Sequence, residues 1–192
     1  MRYHRGFFGF VLLFFGLVSF GFAEDFSLHY FLEKVSSQKV ELAKKEREEL
    51  FNRIDEVFQQ AREIHSKLLQ TIQTGETEIR YQEGKFWMSK LEEDRGTIEN
   101  GIQQIKLLKD KPSDLAASVK LYKSLRDLSS NFNAYNNTPL FSALVGDLAP
   151  EMGLWADPTF YQLCLLPLAQ MKGTEKSPPP KVKKPTPKEK KP

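Results

Sequence analysis

Apolar residues recur at intervals of three and four positions through the first half of the chain, which is the spacing of a helix with one buried face. Between residues 27 and 74 this pattern predicts one long helix, and the charged residues between Lys44 and Arg53 predict a solvated opposite face. The apolar row is broader than the seam of a two-helix coiled coil, so it predicts a bundle in which at least two other helices cover it. Its members are Val40, Ala43, Leu50, Ile54, Val57, Ala61, Ile64 and Leu68, flanked by Phe51, Phe58 and Ile72.

The following segments predict two further helices. Gly75 and Thr77 suit a reversal of the chain at residues 74–77, after which a second helix runs to about Lys109. Gly101 lies on its apolar row and predicts the close approach of a neighbouring helix. A third helix begins after Pro112, with Ser113 as its cap. The inward positions are Ile79, Phe86 or Trp87, Leu91, Ile98, Ile102, Ile105 and Leu108 in the second helix, and Leu115, Val119, Tyr122, Leu125 and Leu128 in the third.

The chain changes in character after residue 128. Ser129 to Thr138 is rich in Asn and predicts an ordered loop. Residues 139–171 carry no basic side chain and many large apolar ones, and Thr138-Pro139 and Asp157-Pro158 each predict the start of a short helix. We expect these helices to form a compact apolar cap on one end of the bundle. The predicted fold class is therefore all-α, an elongated helical hairpin or three-helix bundle over residues 24–171 with short C-terminal capping helices.

The first 23 residues have the composition of an export signal. Arg2 and Arg5 precede an almost entirely apolar run, and Gly21-Phe22-Ala23 places small residues where a signal peptidase cleaves. We therefore expect a periplasmic or secreted protein that begins at Glu24. The alternative is an uncleaved N-terminal membrane anchor with the rest of the chain outside the cytoplasm, because the apolar run is close to the length that spans a bilayer.

Residues 172–192 consist mainly of Lys and Pro and predict a disordered tail. The tail carries eight Lys and two Glu, and the leader carries Arg2 and Arg5, so the total of +3 leaves −5 on the domain between them. This acidic domain disfavours nucleic-acid binding. The tail is suited to an anionic surface such as acidic lipid; the alternative is a solubilising terminus without a target. The candidate contacts are Lys181, Lys183, Lys184, Lys188, Lys190 and Lys191.

Catalytic and cofactor-binding motifs are not found in the sequence. Only His29 and His65 follow the leader, without the spacing of metal, haem or nucleotide motifs, and His65 is expected on a partly exposed surface. The run Glu92-Glu93-Asp94 is interpreted as a solvated helix face. Cys164 has no intramolecular disulfide partner and is expected to be a buried apolar filler. We therefore expect no enzyme and no cofactor; an enzyme that uses the Asn-rich loop, Tyr135 and Glu151 has no spacing argument in its favour.

The sequence thus favours an exported, non-enzymatic helical scaffold or adaptor of the cell envelope. Protein partners are expected to bind the apolar region 139–171, although burial of that region inside its own domain is the simpler interpretation. The candidate docking residues are Phe141, Leu144, Trp155, Phe160 and Tyr161. The alternative function is a periplasmic chaperone or carrier that holds apolar cargo at residues 139–171. The heptad row is also compatible with self-association.

Overall fold

The computed structural model of the chain describes residues 25–38, 41–74 and 81–174. Within these ranges every element is helical, which confirms the all-α fold. The predicted leader, residues 75–77 of the predicted turn and the tail from residue 175 lie outside the described residues. None of the helices in the described ranges is both long and apolar enough to cross a bilayer.

Seven α-helices and one π-helix follow one another in the described ranges. Helix α3 packs against α2 and α4, and α5 and α6 contact both α2 and α4. The π-helix contacts α4 on one side and α1 on another. Their bounds are α1 Leu28–Ser36, α2 Lys44–Thr74, α3 Tyr81–Asp110, α4 Leu115–Asn136, α5 Pro139–Val145, α6 Leu148–Leu154, the π-helix Trp155–Leu165 and α7 Leu166–Thr174.

The single long helix predicted for residues 27–74 is wrong, because the chain forms α1 and α2 with a break between them. Helix α1 ends at Ser36, and Gln38 has a φ of 58° in the left-handed region, which a continuing helix does not allow. The break lets α1 fold back. Phe31 is then buried with its ring 5.9 Å from that of Trp155 in the π-helix. Burial of a large aromatic side chain offsets the lost helical hydrogen bonds.

Glu46 joins the two helices across this break. Its carboxylate accepts hydrogen bonds from the Tyr30 hydroxyl at 2.5 Å and the Ala43 N–H at 2.6 Å, and it pairs with Lys34. The bond to Ala43 is half of a capping box, in which the third residue of a helix satisfies a free N–H at its start. Burial raises the pKa of Glu46, but the bonds from Lys34, Tyr30 and Ala43 together lower it below its usual value.

The apolar row predicted for α2 forms one side of the core. Its members from Leu50 onward are buried, except that Ile64 and the flanking Ile72 are only partly covered. The predicted close approach at Gly101 is confirmed, since a Cβ built there would lie 2.0 Å from Cε1 of Phe58. The Phe58 ring therefore occupies the space that any other residue at position 101 would need. Of the two alternatives at the start of α3, Trp87 packs against the core and Phe86 is exposed.

Helix α4 is longer than predicted, and the side that faces the core differs from the predicted one. The loop predicted for residues 129–138 is wrong, because α4 continues to Asn136 and buries Phe132 and Tyr135. These two extend the 3–4 spacing of Leu125 and Leu128, so apolar burial overrides the turn preference of Asn. The N-cap is Asp114 rather than Ser113, with Ala117 N–H donating to its carboxylate at 3.1 Å. Val119, predicted to face inward, is 50% exposed.

The C-terminal segment runs along α4 instead of sitting on one end of the bundle. Four contacts show this, because the residue numbers fall along α4 as they rise along the C-terminal segment. They join the rings of Tyr135 and Phe141, the Ser129 hydroxyl and the Ala149 carbonyl, the Tyr122 hydroxyl and Asp157, and Ser118 and the Cys164 thiol. The segment from α6 through α7 is thus a further helix of the bundle, antiparallel to α4.

The short helix predicted to start at Asp157-Pro158 is also wrong, because Pro158 lies inside the π-helix. Proline has no N–H and its ring clashes with the preceding turn of an α-helix. A π-helix is wider, with hydrogen bonds to the fifth preceding residue, as in the bond from Leu166 N–H to the Tyr161 carbonyl. The wider turns let the chain pass Pro158 without ending the helical segment.

We expect Gly101→Ala to destabilise the protein. The added methyl group meets the buried ring of Phe58, and overpacking of this kind costs about 1–3 kcal/mol. Gly96→Ala is the matched control in the same helix, because nothing lies within 4 Å of its Cβ position. That control should gain about 0.5–1 kcal/mol from helix propensity. Urea unfolding of both variants measures the difference, and equal stabilisation of the two would contradict the close approach.

Candidate binding surfaces

The five predicted docking residues divide between the core and the surface. Phe141, Trp155 and Phe160 are buried, and Leu144 is partly covered, so these four contribute mainly to the packing of the domain. Tyr161 is 43% exposed. Of the predicted set, only this tyrosine presents a large side chain to solvent in the described structure. The predicted tether lysines, from Lys181 to Lys191, lie outside the described residues.

Tyr161 belongs to a surface that we call the tyrosine face: Tyr122 and Arg126 of α4 with Asp157 and Tyr161 of the π-helix. The rings of Tyr122 and Tyr161 lie with their centroids 5.9 Å apart at an angle of 47°. The Tyr122 hydroxyl donates to Asp157 Oδ1 at 2.7 Å, and Arg126 pairs with Asp157 Oδ2. Pro158 and Gln162 complete a shallow depression of about 420 Å³ beside the two rings.

Local helix geometry explains how the tyrosine face is assembled. Tyr122 and Arg126 are four residues apart on α4, so both point to the same side. Val119 precedes Tyr122 by three residues and extends that side. The hydrogen bond to Asp157, followed by burial and the carboxylate charge, raises the pKa of Tyr122 above its ordinary value. The hydroxyl therefore remains a protonated donor that holds the two helices together.

A second surface feature is a groove of about 750 Å³ beside the break between α1 and α2. We call it the α1–α7 groove. Its apolar walls come from both ends of the domain, and its polar rim comes mainly from the first two helices and the break between them. The lining residues are Leu42, Leu163, Pro167 and Met171, with Lys34, Gln38, Glu41, Arg47 and Gln170. Sequence reasoning missed the groove, since it depends on the fold-back of α1.

Arg47 is the distinctive charged group of this groove. Its Nη2 donates weakly to the Leu42 carbonyl at 3.5 Å, and none of the ion pairs between described residues includes it. Cys164 lies near enough for the guanidinium to favour its thiolate, but burial dominates and raises the pKa of that thiol to about 11. The buried thiol is therefore inert, in agreement with its predicted role as an apolar filler.

A buried polar cluster joins α2, α3 and α4. The Asp94 carboxylate is fully buried and accepts from the Tyr135 hydroxyl at 2.5 Å and from Asn131 Nδ2 at 2.6 Å. His65 Nε2 lies 2.7 Å from the Leu91 carbonyl oxygen. Because a carbonyl only accepts, Nε2 carries the proton. The predictions of a solvated Asp94 and a partly exposed His65 are both wrong.

The electrostatics of this cluster are set by burial. Burial raises the pKa of Asp94, while the hydrogen bonds from Tyr135 and Asn131 and the charges of His65 and Lys90 act to lower it. Burial, and then the bond to Asp94, raise the pKa of Tyr135. With no exposed atoms, Asp94 has no access to a substrate in this conformation. The described residues also contain no group of three His, Cys, Asp or Glu arranged to hold a metal ion.

We expect replacement of Asp94 to change how stability depends on pH. Since the folded-state pKa of Asp94 is raised, its contribution to the free energy of unfolding is fully present below the unfolded pKa, about 3.9. That contribution is lost as pH rises through the folded-state pKa. The unfolding free energy of the original chain minus that of Asp94→Asn should therefore fall as pH rises above about 4.

Urea titrations across this pH range measure the difference, and Tyr135→Phe provides the matched comparison. Loss of its hydroxyl removes a bond to the ionised carboxylate, so Tyr135→Phe should destabilise the protein more at neutral than at acid pH, by about 1–3 kcal/mol at neutrality. Parallel pH profiles for the original chain and Asp94→Asn would contradict a buried titrating carboxylate.

Comparison of the chain with protein-family models, with curated proteins and with solved structures finds no match.

Proposed function

We propose that the protein is an exported, non-enzymatic adaptor of the cell envelope that docks a protein partner on the tyrosine face. The observation that carries the proposal is the ring pair of Tyr122 and Tyr161 between two helices of the bundle, in which Tyr161 is exposed and Tyr122 is partly buried. Tyrosine is enriched in the cores of protein interfaces, because its ring supplies contact area and its hydroxyl supplies a hydrogen bond.

The setting of the pair supports docking over accidental exposure. Asp157 holds Tyr122 and Arg126 at once, so the polar groups of the face are already oriented before any partner arrives. Preorganised side chains lose less conformational entropy on binding. Exposed Val119 adds an apolar neighbour on α4. A π-helix next to the face is consistent with this role, since π-helical turns are frequent at functional sites.

The location and the tether in this proposal are supported by the two ends of the sequence. The apolar leader with its small-residue cleavage site favours export. The lysine-rich tail is suited to hold the acidic domain at an anionic surface, with each Lys contributing about 1 kcal/mol near acidic lipid. Docking to a protein partner and attachment to an envelope surface are the two properties that an adaptor needs.

A second candidate function, a carrier of apolar cargo, is favoured by the α1–α7 groove. Four of its lining residues lie in the segment from Leu163 to Met171, within the region where apolar cargo is expected. Its volume falls within the range of about 300–1,000 Å³ that is typical of small-molecule sites. The groove is separate from the tyrosine face in its lining residues, so the two functions can be tested independently.

We expect a photo-crosslinking residue at position 161 to capture a specific partner in the intact envelope. The matched control carries the same residue at position 86, where Phe86 is 56% exposed on α3 and remote in sequence from the tyrosine face. Adducts are identified by mass spectrometry. A crosslink to a second copy of the chain would assign the face to self-association, and identical adducts from both positions would contradict a dedicated docking surface.

We expect the tail to bind anionic vesicles. Replacing Lys181, Lys183, Lys184, Lys188, Lys190 and Lys191 by Gln should lower the partition coefficient by at least about a hundredfold, given about 1 kcal/mol per Lys. The same six positions changed to Arg keep the charge and should keep the binding. Co-sedimentation with vesicles at low and high salt measures both, because salt screens the attraction. Unchanged binding of the Gln variant would contradict the tether.

A further inference from the structure

We propose that the α1–α7 groove binds a fatty acid, with the carboxylate on Arg47 and the acyl chain along Leu163, Pro167 and Met171. This inference rests on the carrier function proposed above and names the class of cargo. It is independent of the docking role of the tyrosine face.

The charge of Arg47 selects an anionic head group. A guanidinium offers its donors in a planar fork that matches a carboxylate, yet the only acceptor for Arg47 among the described residues is the Leu42 carbonyl at 3.5 Å. The other cation of the groove, Lys34, is already paired with Glu46. Glu41 also lines the groove, but it is exposed and forms no ion pair with Arg47, so solvent screens its charge. Arg47 is therefore the group with unused capacity for an anion.

The walls of the groove select an apolar body for the ligand. Leu42 and Leu163 are nearly buried at its floor, and Met171 is 57% exposed at its rim. Met side chains adapt to apolar ligands of varied shape. A single acyl chain removes this apolar surface from water, at a gain of roughly 0.8 kcal/mol for each buried methylene. A small hydrophilic anion would leave the same walls uncovered.

Charge also excludes the two ends of this chain as occupants. The tail that follows α7 carries seven Lys against two Glu, and the apolar leader carries Arg2 and Arg5. Either segment would bring positive charge toward Arg47, where like charges repel. A fatty acid is the simplest molecule that combines a negative head with an apolar body of this size.

Displacement of a fluorescent fatty acid tests the assignment. The full chain is loaded with 11-(dansylamino)undecanoic acid and titrated with laurate or with 1-dodecanol, which has the same chain length and no charge. Laurate should bind at least about tenfold more tightly than the alcohol, because a charge-assisted bidentate contact is worth more than one factor of ten. Arg47→Gln should abolish this preference and leave dodecanol binding unchanged. Arg95→Gln, an exposed arginine of α3, should retain the preference.

Two further variants keep the test decisive. Met171→Glu places a like charge at the exposed rim, where misfolding is not expected, and should weaken laurate at least fivefold more than dodecanol. The tail variant with Gln at its six lysines should bind laurate as the original chain does. Loss of laurate binding in that variant, or a laurate preference that survives Arg47→Gln, would overturn the fatty-acid site. Failure of the original chain to bind the probe or dodecanol would overturn the carrier function itself.

Discussion

The burial of α4 on two sides is the packing constraint on which the structure depends. Helix α3 covers one side, and the segment from α5 through the π-helix covers the other. Leu121, Leu125 and Leu128 are completely buried as a result. A helix surrounded in this way cannot shift without opening both interfaces, because protein interiors are close-packed. It therefore provides a fixed base from which Tyr122 and Arg126 reach the surface.

Polar contacts at specific points complement this apolar packing. Asp94 ties α3 to α4 through Tyr135 and Asn131, and Asp157 ties the π-helix to α4 through Tyr122 and Arg126. The two carboxylates differ in consequence. The first is sealed from solvent and restricts which helix faces can meet, because an unpaired buried carboxylate is costly. The second remains accessible and orients groups that a partner can contact.

Apolar spacing predicts most of α2 and α3, much of their inward side and the close contact at Gly101. It fails where tertiary contacts override local preference. No Gly or Pro marks the end of α1, so the sequence pattern does not predict the fold-back that buries Phe31. The Asn residues after Ser129 favour a turn, yet the rings of Phe132 and Tyr135 keep α4 helical. The α1–α7 groove could not be predicted without that fold-back.

The burial of Asp94 and His65, in contrast, could have been predicted from their spacing in the sequence. Asp94 lies three residues after Leu91 and four before Ile98, and His65 lies four after Ala61 and three before Leu68. Each polar residue thus occupies a position of the apolar row, which indicates burial as directly as a leucine would. The acidic residues Glu92 and Glu93 beside Asp94 suggested a solvated face instead. Ile64 was assigned to the core, although its neighbour His65 is the more deeply buried of the two. The spacing of apolar residues could not show that Tyr161 would be exposed while the predicted docking residues Trp155 and Phe160 are buried.

The π-helix sets the angle about the helix axis between the tyrosine face and the wall of the α1–α7 groove. Asp157 and Tyr161 belong to it, whereas Pro167 and Met171 follow it on α7. Each residue of an α-helix turns the chain by about 100°, and a π-helix turns it by less. The eleven residues from Trp155 to Leu165 thus set the direction in which α7 emerges relative to Tyr161. Removing a single residue between Tyr161 and Leu166 would rotate Pro167 and Met171 away from Arg47 while leaving the tyrosine pair in place. The length of this one segment is therefore a spacer that sets the orientation of the groove wall relative to the tyrosine face.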